Sequence, residues 1–329
     1  MARRWVTGKT SSVLELRLLA NRMRAALAAH PDLKRQLIAA LAAALTSLAG
    51  AGAFAQGLDF AAIELETVEI STGLYVLMGG PAQGNIAVSI GSDGIFLVDT
   101  MYGPMHDKII AALAALGDQP VRYVVNTHMH GDHTAGNEAM AARGAIVIAQ
   151  ENMRLRMADQ QNRPPAERLP VLTYDDSMRL YFNAEVIDIF NLGQAHTDHD
   201  SIVFFRNANV MHVGDIPSSL RYPNIGINDG GTVQGMMAAA RQVMQIANRD
   251  TKIIAGHLGP VVGFDELEQQ LEMFAVVRDR IAAAIREGRT LQDVLASKPT
   301  ADFDAARLAG AITPDRFVTL VYTDLARSR

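Results

Sequence analysis

Three histidines and one aspartate lie close together in the stretch THMHGDH, which spans residues 127–133. The stretch follows VRYVVN (121–126), a run rich in β-branched and aromatic side chains that predicts a buried strand. Side chains at i and i+2 of an extended chain point the same way, so three of these ligand-type residues can converge where the strand ends: His128, His130 and Asp132. Gly131 lets the backbone turn, so that His133 can approach the same point. Because imidazole and carboxylate are common ligands of divalent cations, the pattern predicts a metal site.

Three more ligand-type residues occur far apart in the chain, each following a predicted strand and close to a glycine. They are His196 in NLGQAHTD, Asp215 in VMHVGD and His257 in IIAGHLGP. The order strand–Asp99, helix, strand–His128 is repeated as strand–Asp215, helix, strand–His257. Open α/β sheets bind ligands at the carboxyl ends of their strands. We therefore expect two sheets packed between outer helices, with one metal site along a shared edge.

Hydrophobic periodicity and turn residues predict the remaining elements. Predicted strands cover residues 68–70, 74–77, 85–90, 95–98, 121–126, 145–149, 178–181, 184–190, 201–205, 210–214 and 252–255. Predicted helices cover 104–116, 137–143, 232–247, 265–287 and a segment around 314–326. The first four strands should form an antiparallel meander. Residues 160–170 and 217–231 are predicted to be irregular.

Composition and charge exclude some classes of partner. The formal net charge is −5, but residues 1–55 hold eight basic and two acidic side chains, so the remainder has 22 basic and 33 acidic ones and a net charge of −11. An acidic domain argues against a nucleic-acid partner, which normally requires a basic patch. Cysteine is absent, so neither disulfides nor thiolate metal ligands are available.

Residues 1–55 have the pattern of a secretory leader. Lys34 and Arg35 precede the apolar run 37–45, and the small-residue site AFA at 53–55 comes just before Gln56. This pattern predicts cleavage after residue 55, which leaves 56–329 as a single catalytic domain in a periplasmic or secreted protein. After cleavage we expect no stable membrane association. Retention of the leader as an anchor, or a start at Met23, is the alternative.

The H-x-H-x-D-H spacing resembles the signature of the metallo-β-lactamase superfamily, and the resemblance covers roughly residues 65 to 325. It implies an α/β fold of the αββα type, with two mixed β-sheets flanked by helices. It also implies the ligand sets: His128, His130 and His196 for a first metal, Asp132, His133 and His257 for a second, and Asp215 bridging both. The lactamases best known for antibiotic resistance carry Cys or Ser at the bridging position, whereas Asp is typical of glyoxalase II-like members. The substrate therefore stays open.

Two dications about 3.5–4 Å apart can lower the pKa of a bridging water and polarise a carbonyl, which favours hydrolysis. Two zinc ions per chain are expected, and the nitrogen and oxygen ligands also suit Fe or Mn. Asp132 is the candidate catalytic residue, because it can orient the nucleophile or a proton transfer besides ligating the metal. Four positive charges exceed the charges of two carboxylates and a hydroxide, so we expect a small anionic substrate.

Other polar residues are weaker candidates. Asp99 and Asp200 are candidates to accept the far N–H of a metal-bound imidazole, although either could be a plain strand-end or turn residue. Arg221 and Asn224, in the loop after Asp215, are candidates for contact with substrate. His199 is a third such candidate, with a solvated loop histidine as the alternative.

The sequence favours an exported dinuclear zinc hydrolase that opens a cyclic amide or ester with an activated water, and a β-lactam is the first substrate to test. Export favours β-lactams, since these act outside the inner membrane. A thioesterase or lactonase of glyoxalase II type is the alternative that Asp215 supports. A mononuclear iron oxidoreductase resembling the persulfide dioxygenases is an alternative of another class, which metal analysis would separate.

The leader yields the first testable prediction. Mass spectrometry of the exported protein should find Gln56 at the N-terminus, because the A-x-A site ends at residue 55. Detection of residues 1–55 in the mature protein would contradict cleavage.

Overall fold

Two mixed β-sheets flanked by helices form the frame of the protein. The computed structural model describes residues 58–80, 84–160, 164–216, 221–257, 259, 261–307 and 310–327. The predicted leader, 1–55, lies outside the described residues. All of the strands and helices below belong to the segment 56–329 that was predicted to be one catalytic domain, and that assignment stays a prediction.

The first sheet has seven strands that pair in chain order. They are β1 (Glu66–Ser71), β2 (Leu74–Met78), β3 (Ile86–Gly91), β4 (Gly94–Val98), β5 (Val121–Val125), β6 (Ile146–Gln150) and β7 (Leu172–Tyr174). β1 to β4 form the predicted antiparallel meander, and β4 to β7 are parallel.

The second sheet has five strands in the order β12-β11-β10-β9-β8. They are β8 (Ser177–Phe182), β9 (Glu185–Asn191), β10 (Ser201–Phe205), β11 (Val210–His212) and β12 (Lys252–Ile254). β8 to β11 are antiparallel, and β11 pairs with β12 in parallel.

Nine α-helices connect and cover the sheets in the described residues. They are α1 (His106–Leu116), α2 (Gly131–Thr134), α3 (Asn137–Ala142), α4 (Glu151–Asp159), α5 (Val233–Ile246), α6 (Phe264–Arg286), α7 (Leu291–Ala296), α8 (Ala301–Asp304) and α9 (Pro314–Arg327). Within this part of the chain, no helix combines the length and apolarity needed to cross a membrane.

The predicted internal repeat corresponds to two parallel strand–helix–strand units. In the first sheet, β4 leads through α1 to its parallel neighbour β5; in the second, β11 leads through α5 to its parallel neighbour β12. The two strands of each unit are parallel and therefore end at the same edge of their sheet. A carboxylate and an imidazole follow these strand ends in both units. Two sequence-distant segments thereby build one site.

Three apolar layers hold the sheets and helices together. Phe96 of β4 and Phe205 of β10 meet edge to face between the sheets, with ring centroids 5.9 Å apart. Residues of α1 cover the outer face of the first sheet, and residues of α5, α6 and α9 cover that of the second. Since both faces of the central strands are covered, β4 and β10 are apolar without alternation.

The sequence did not predict α4 or β7. A three-residue strand is too short to show alternation, and α4 buries only Met153 and Met157, four residues apart, within a polar helix. The prediction that residues 127–133 make a turn at the strand end was incomplete, because Gly131–Thr134 form the one-turn helix α2.

The packing between the sheets yields the second prediction. Phe96→Ala should lower the free energy of unfolding by about 3–5 kcal/mol, because it leaves a cavity at a ring that is 0% exposed. Urea denaturation followed by circular dichroism measures this change. Tyr181→Ala is the matched control, since Tyr181 is 75% exposed and should cost little. Equal losses in both variants would contradict the assigned core.

Candidate metal centre

All seven predicted ligands lie together after strand ends at one edge of the two sheets. β5 leads into the stretch 127–133, while β9, β11 and β12 lead to His196, Asp215 and His257. α2 begins directly after His130, so the chain turns back and places His133 in the interior, where it is 0% exposed. The structure therefore brings together the residues that the sequence predicted as ligands.

The first group of donors consists of His128, His130 and His196. Nδ1 of His130 lies 3.1 Å from Nε2 of His128 and 2.9 Å from Nε2 of His196. All three of these ring nitrogens lie within 4.8 Å of one another, as expected for ligands of one metal ion.

The second group consists of Asp132, His133 and His257. Oδ2 of Asp132 lies 3.3 Å from Nε2 of His257 and 3.8 Å from Nε2 of His133. The two Nε2 atoms are 3.3 Å apart. One carboxylate oxygen and two ring nitrogens thus face a common point.

Asp215 lies between the two groups. Its Oδ2 is 3.6 Å from Nε2 of His196 in the first group and 3.3 Å from Nε2 of His257 in the second. Its Oδ1 is 3.3 Å from Nε2 of His133. A single carboxylate can therefore contact cations in both groups.

Hydrogen bonds fix which ring nitrogen faces the centre in four of the five candidate ligand histidines. His196 donates from Nδ1 to the carbonyl oxygen of Asn224 at 3.1 Å, and His130 donates from Nε2 to Oδ2 of Asp229 at 3.0 Å. His133 donates from Nδ1 to Oδ2 of Asp99 at 2.7 Å. In each ring the other nitrogen keeps its lone pair, which is then available to bind a metal ion in the centre.

His128 is oriented through Thr127. The Thr127 hydroxyl donates to Oδ2 of Asp99 at 2.8 Å, so its oxygen accepts from Nδ1 of His128 at 3.1 Å. Oδ1 of Asp99 accepts the backbone N–H of Thr127 at 2.8 Å. The buried Asp99 thereby supports one histidine of each donor group.

A family model described as the metallo-beta-lactamase superfamily matches residues 79–257, which is more than half of the chain. The chain belongs to the metallo-β-lactamase superfamily. This confirms the resemblance inferred from the H-x-H-x-D-H spacing, and the two mixed sheets between helices confirm the αββα fold. No curated protein matches the sequence.

Solved structures share the metallo-β-lactamase fold at low sequence identity. A metallo-β-lactamase from Pontibacter korlensis is 19% identical with a TM-score of 0.57, covering 64% of this chain and 99% of that one. DIM-1 metallo-β-lactamase is 17% identical with a TM-score of 0.55, covering 64% and 97%. A double mutant of the sec-alkyl sulfatase PisA1 is 17% identical with a TM-score of 0.61, covering 79% of this chain and 50% of that one. These similarities establish the fold alone.

The pKa of His130 is raised, because Asp229 and Asp132 outweigh the effect of burial. For the other two histidines of the first group, burial favours the neutral form that binds metals. It lowers the pKa of His128 well below the usual value, and the neighbouring His133 lowers it further. Burial also lowers the pKa of His196, against the opposing effect of Asp215. Both imidazoles are therefore neutral near pH 7, with a lone pair available for a cation.

The two carboxylates of the candidate metal centre are ionised. Burial acts to raise the pKa of Asp132, but His133 and His257 outweigh it and lower that pKa to about 2. The same two histidines, against burial, hold the pKa of Asp215 well below its usual value. In return, Asp215 and Asp132 overcome burial and raise the pKa of His257 to about 10. The second group thus attracts positive charge, which a bound cation would supply while leaving the imidazole neutral.

The donor set fits divalent cations. Oδ1 of Asp215 is buried and makes no hydrogen bond. In the described part of the chain, neither Asp132 nor Asp215 pairs with Lys or Arg. Buried ionised carboxylates are costly without a compensating charge, and cations at the two groups would provide it. Nitrogen and oxygen donors suit zinc, Fe or Mn.

The structure corrects two of the weaker predictions. Asp200 does not accept a hydrogen bond from a ligand imidazole, because its carboxylate accepts the N–H of Thr197 at 2.7 Å and the hydroxyl of Thr197 at 2.8 Å. It shapes the loop that carries His196. His199 is fully buried, and both of its ring nitrogens bind protein groups, so it is neither a solvated residue nor a substrate contact.

The remaining substrate candidates also differ from the prediction. Asn224 lies beside the centre, but its backbone carbonyl binds His196. The Arg221 side chain extends to the C-terminal segment, where its Nη1 lies 3.1 Å from the position a Cβ would take on Gly310. Neither side chain contacts the donor groups among the described residues.

Sequence reasoning missed Asp229, whose carboxylate orients His130. The residue lies in a short 3-10 helix, Ile227–Asp229, within the loop predicted to be irregular. It is 99 residues away from His130, so no local spacing indicates the pairing.

The position of Asp215 yields the third prediction. Gly256→Ala should reduce bound metal from about two equivalents to one or fewer, because a Cβ on Gly256 would overlap Oδ1 of Asp215 and lie 2.6 Å from the backbone of Gly214, which would displace the carboxylate and the loop that carries it. Elemental analysis of dialysed protein measures the change, and a melting curve reports whether the variant is folded. Gly103→Ala is the control, since its Cβ would meet only the Ala135 carbonyl at 3.5 Å. Full metal content in folded Gly256→Ala would contradict the bridging position.

Proposed function

We propose that this protein is an exported metal-dependent hydrolase that holds two divalent cations, with zinc the first metal to test, and opens a cyclic amide or ester. A β-lactam is the substrate we propose first. The observation that carries the proposal is the position of Asp215, whose carboxylate lies within 3.6 Å of ring nitrogens in both donor groups. That position matches a shared ligand of two cations.

Two bound dications would polarise a scissile carbonyl and make a water molecule acidic enough to act as nucleophile near neutral pH. The contribution of the protein is to orient the side chains that would hold these cations. Asp99 and Asp229 hold the rings of His133 and His130, so that the ligand nitrogens keep their lone pairs directed inward. Little reorganisation is then required when a substrate arrives.

Differences in exposure define the face that substrate can reach. The side chains of His128, His133 and His196 are 0% exposed, whereas Asp132 and His257 are 18% and 24% exposed. His130 and Asp215 are also partly exposed, at 15% and 13%, so substrate can approach the face formed by these four side chains. One oxygen of Asp132 can ligate a cation while the other accepts a proton from the nucleophile or orients it, since its low pKa keeps it ionised.

The charge of the centre supports a substrate with a carboxylate beside its scissile carbonyl. Two dications carry more positive charge than Asp132 and Asp215 carry negative charge, so the loaded centre would attract anions. β-Lactams have this arrangement, and the predicted leader would place the enzyme where they act. This combination is our reason for testing β-lactams first.

A thioesterase or lactonase is the second candidate, because the bridging ligand is Asp215 rather than Cys or Ser. The mature protein, assayed against a panel of β-lactams, lactones and thioesters, separates these activities. A sulfate ester belongs in the panel because a sec-alkyl sulfatase is among the structural neighbours. Elemental analysis of the same sample tests the iron oxidoreductase alternative, for which a single iron is expected.

The role of Asp132 yields the fourth prediction. Asp132→Ala should lower kcat for nitrocefin, or for whichever panel substrate is turned over, by roughly 10²- to 10⁴-fold, because both metal ligation and proton orientation are lost. Steady-state kinetics measure this, with Asp250→Ala in an exposed turn as the matched control. Wild-type kcat in Asp132→Ala would refute the assignment, and an inactive wild type across the whole panel would refute the proposed substrates.

A further inference from the structure

Helix α4 packs against the stretch 127–133, which carries four of the candidate metal ligands. Met129 lies between two ligands of the first group, His128 and His130, and its side chain packs against a small buried cluster. The cluster contains Met153 and Met157, the two buried residues of α4. The side chain of Met129 is thus held by a helix that contributes no candidate metal ligand.

A buried histidine holds the main chain of the same residue. The backbone N–H of Met129 donates to Nε2 of His199 at 3.2 Å. A backbone N–H can only donate, so Nε2 accepts, and the ring proton must be on Nδ1. Nδ1 of His199 accordingly donates to Oδ1 of Asp198 at 2.9 Å. His199 is 0% exposed, so water does not compete for either bond.

Asp198 is fixed in turn by α4. Arg156 donates from Nε to Oδ1 of Asp198 at 2.7 Å and from Nη2 to Oδ2, the two-point geometry that gives planar ion pairs their directional strength. The backbone N–H of Asp198 donates to the carbonyl oxygen of Asp229 at 3.0 Å. Asp198 is therefore connected to both α4 and the residue that orients His130.

We propose that Arg156, Asp198 and His199 form a positioning chain that fixes the main chain of Met129 and thereby sets the metal affinity of the first donor group. The inference rests on the proposed metal centre. A shift of Met129 would move His128 and His130 together, and metal ligands tolerate only about 0.5 Å of displacement. Groups that orient metal ligands typically contribute roughly 10- to 100-fold to metal affinity.

Two substitutions of His199 separate directed hydrogen bonding from space filling. His199→Gln places an amide oxygen near the position of Nε2 and can still accept from Met129. His199→Asn places an amide N–H near the position of Nδ1 and can still donate to Asp198, but no longer reaches Met129. A histidine that only fills space would give two similar variants.

The test titrates metal-free protein with Zn²⁺ in a calorimeter and records the visible absorption spectrum of the Co²⁺-loaded protein, which reports ligand geometry. We expect His199→Asn and Arg156→Ala to weaken one of two binding steps by roughly 10- to 100-fold and to alter the Co²⁺ spectrum. His199→Gln should weaken binding by less than His199→Asn, because it keeps the hydrogen bond to Met129 and loses only the one to Asp198. Circular dichroism verifies that each variant is folded.

Arg179→Ala is the matched control. Arg179 makes the same two-point contact with Asp188 between β8 and β9, and among the described residues this pair has no connection to the motif. Its loss should leave metal binding unchanged. Equal weakening in His199→Asn and His199→Gln, unchanged affinity in His199→Asn, or weakening by Arg179→Ala would each overturn the positioning chain. A wild type that binds no cation would instead refute the proposed function together with this inference.

Discussion

Negative charge that no Lys or Arg of the described residues neutralises is the constraint on which the site depends. Asp132 and Asp215 are ionised because Nε2 atoms of His133 and His257 lie within 3.8 Å of them, and in return the carboxylates raise the pKa of both histidines. Removing these carboxylates from water is costly unless opposite charge lies among them, and protons on the two histidines supply part of that charge. Divalent cations at the two donor groups would convert this cost into a stabilising interaction.

The two sheets supply the geometry that this arrangement requires. The N–H of Ser201, at the start of β10, donates to the carbonyl of Thr127 just after β5, which joins the two halves at the site. Gly214 has φ +54°, and a Cβ there would lie 2.8 Å from that of Thr127, so only glycine allows the loop carrying Asp215 to approach the motif so closely. The close contact between Gly214 and Thr127 therefore joins the two sheets and also places the candidate bridging carboxylate of Asp215.

The seven candidate ligands could be predicted from the sequence because each follows a strand end and because the H-x-H-x-D-H spacing resembles the signature of the family. His128 and His130 follow the period-two geometry of a strand end, and His257 follows a strand and a glycine. Asp229 and the contacts of His199 could not be predicted, since they join loops that meet only when α4 and both sheets are in place. Asp200 shows the opposite case. It lies close to His196 in the sequence, but its carboxylate accepts hydrogen bonds from Thr197 in its own loop.

X-ray diffraction at the zinc absorption edge, from crystals of the zinc-loaded protein, tests the central claim most directly. We predict two anomalous peaks about 3.5–4 Å apart on either side of the Asp215 carboxylate. One peak should be surrounded by His128, His130 and His196, and the other by Asp132, His133 and His257. A single peak, or zinc bound away from these side chains, would contradict this claim.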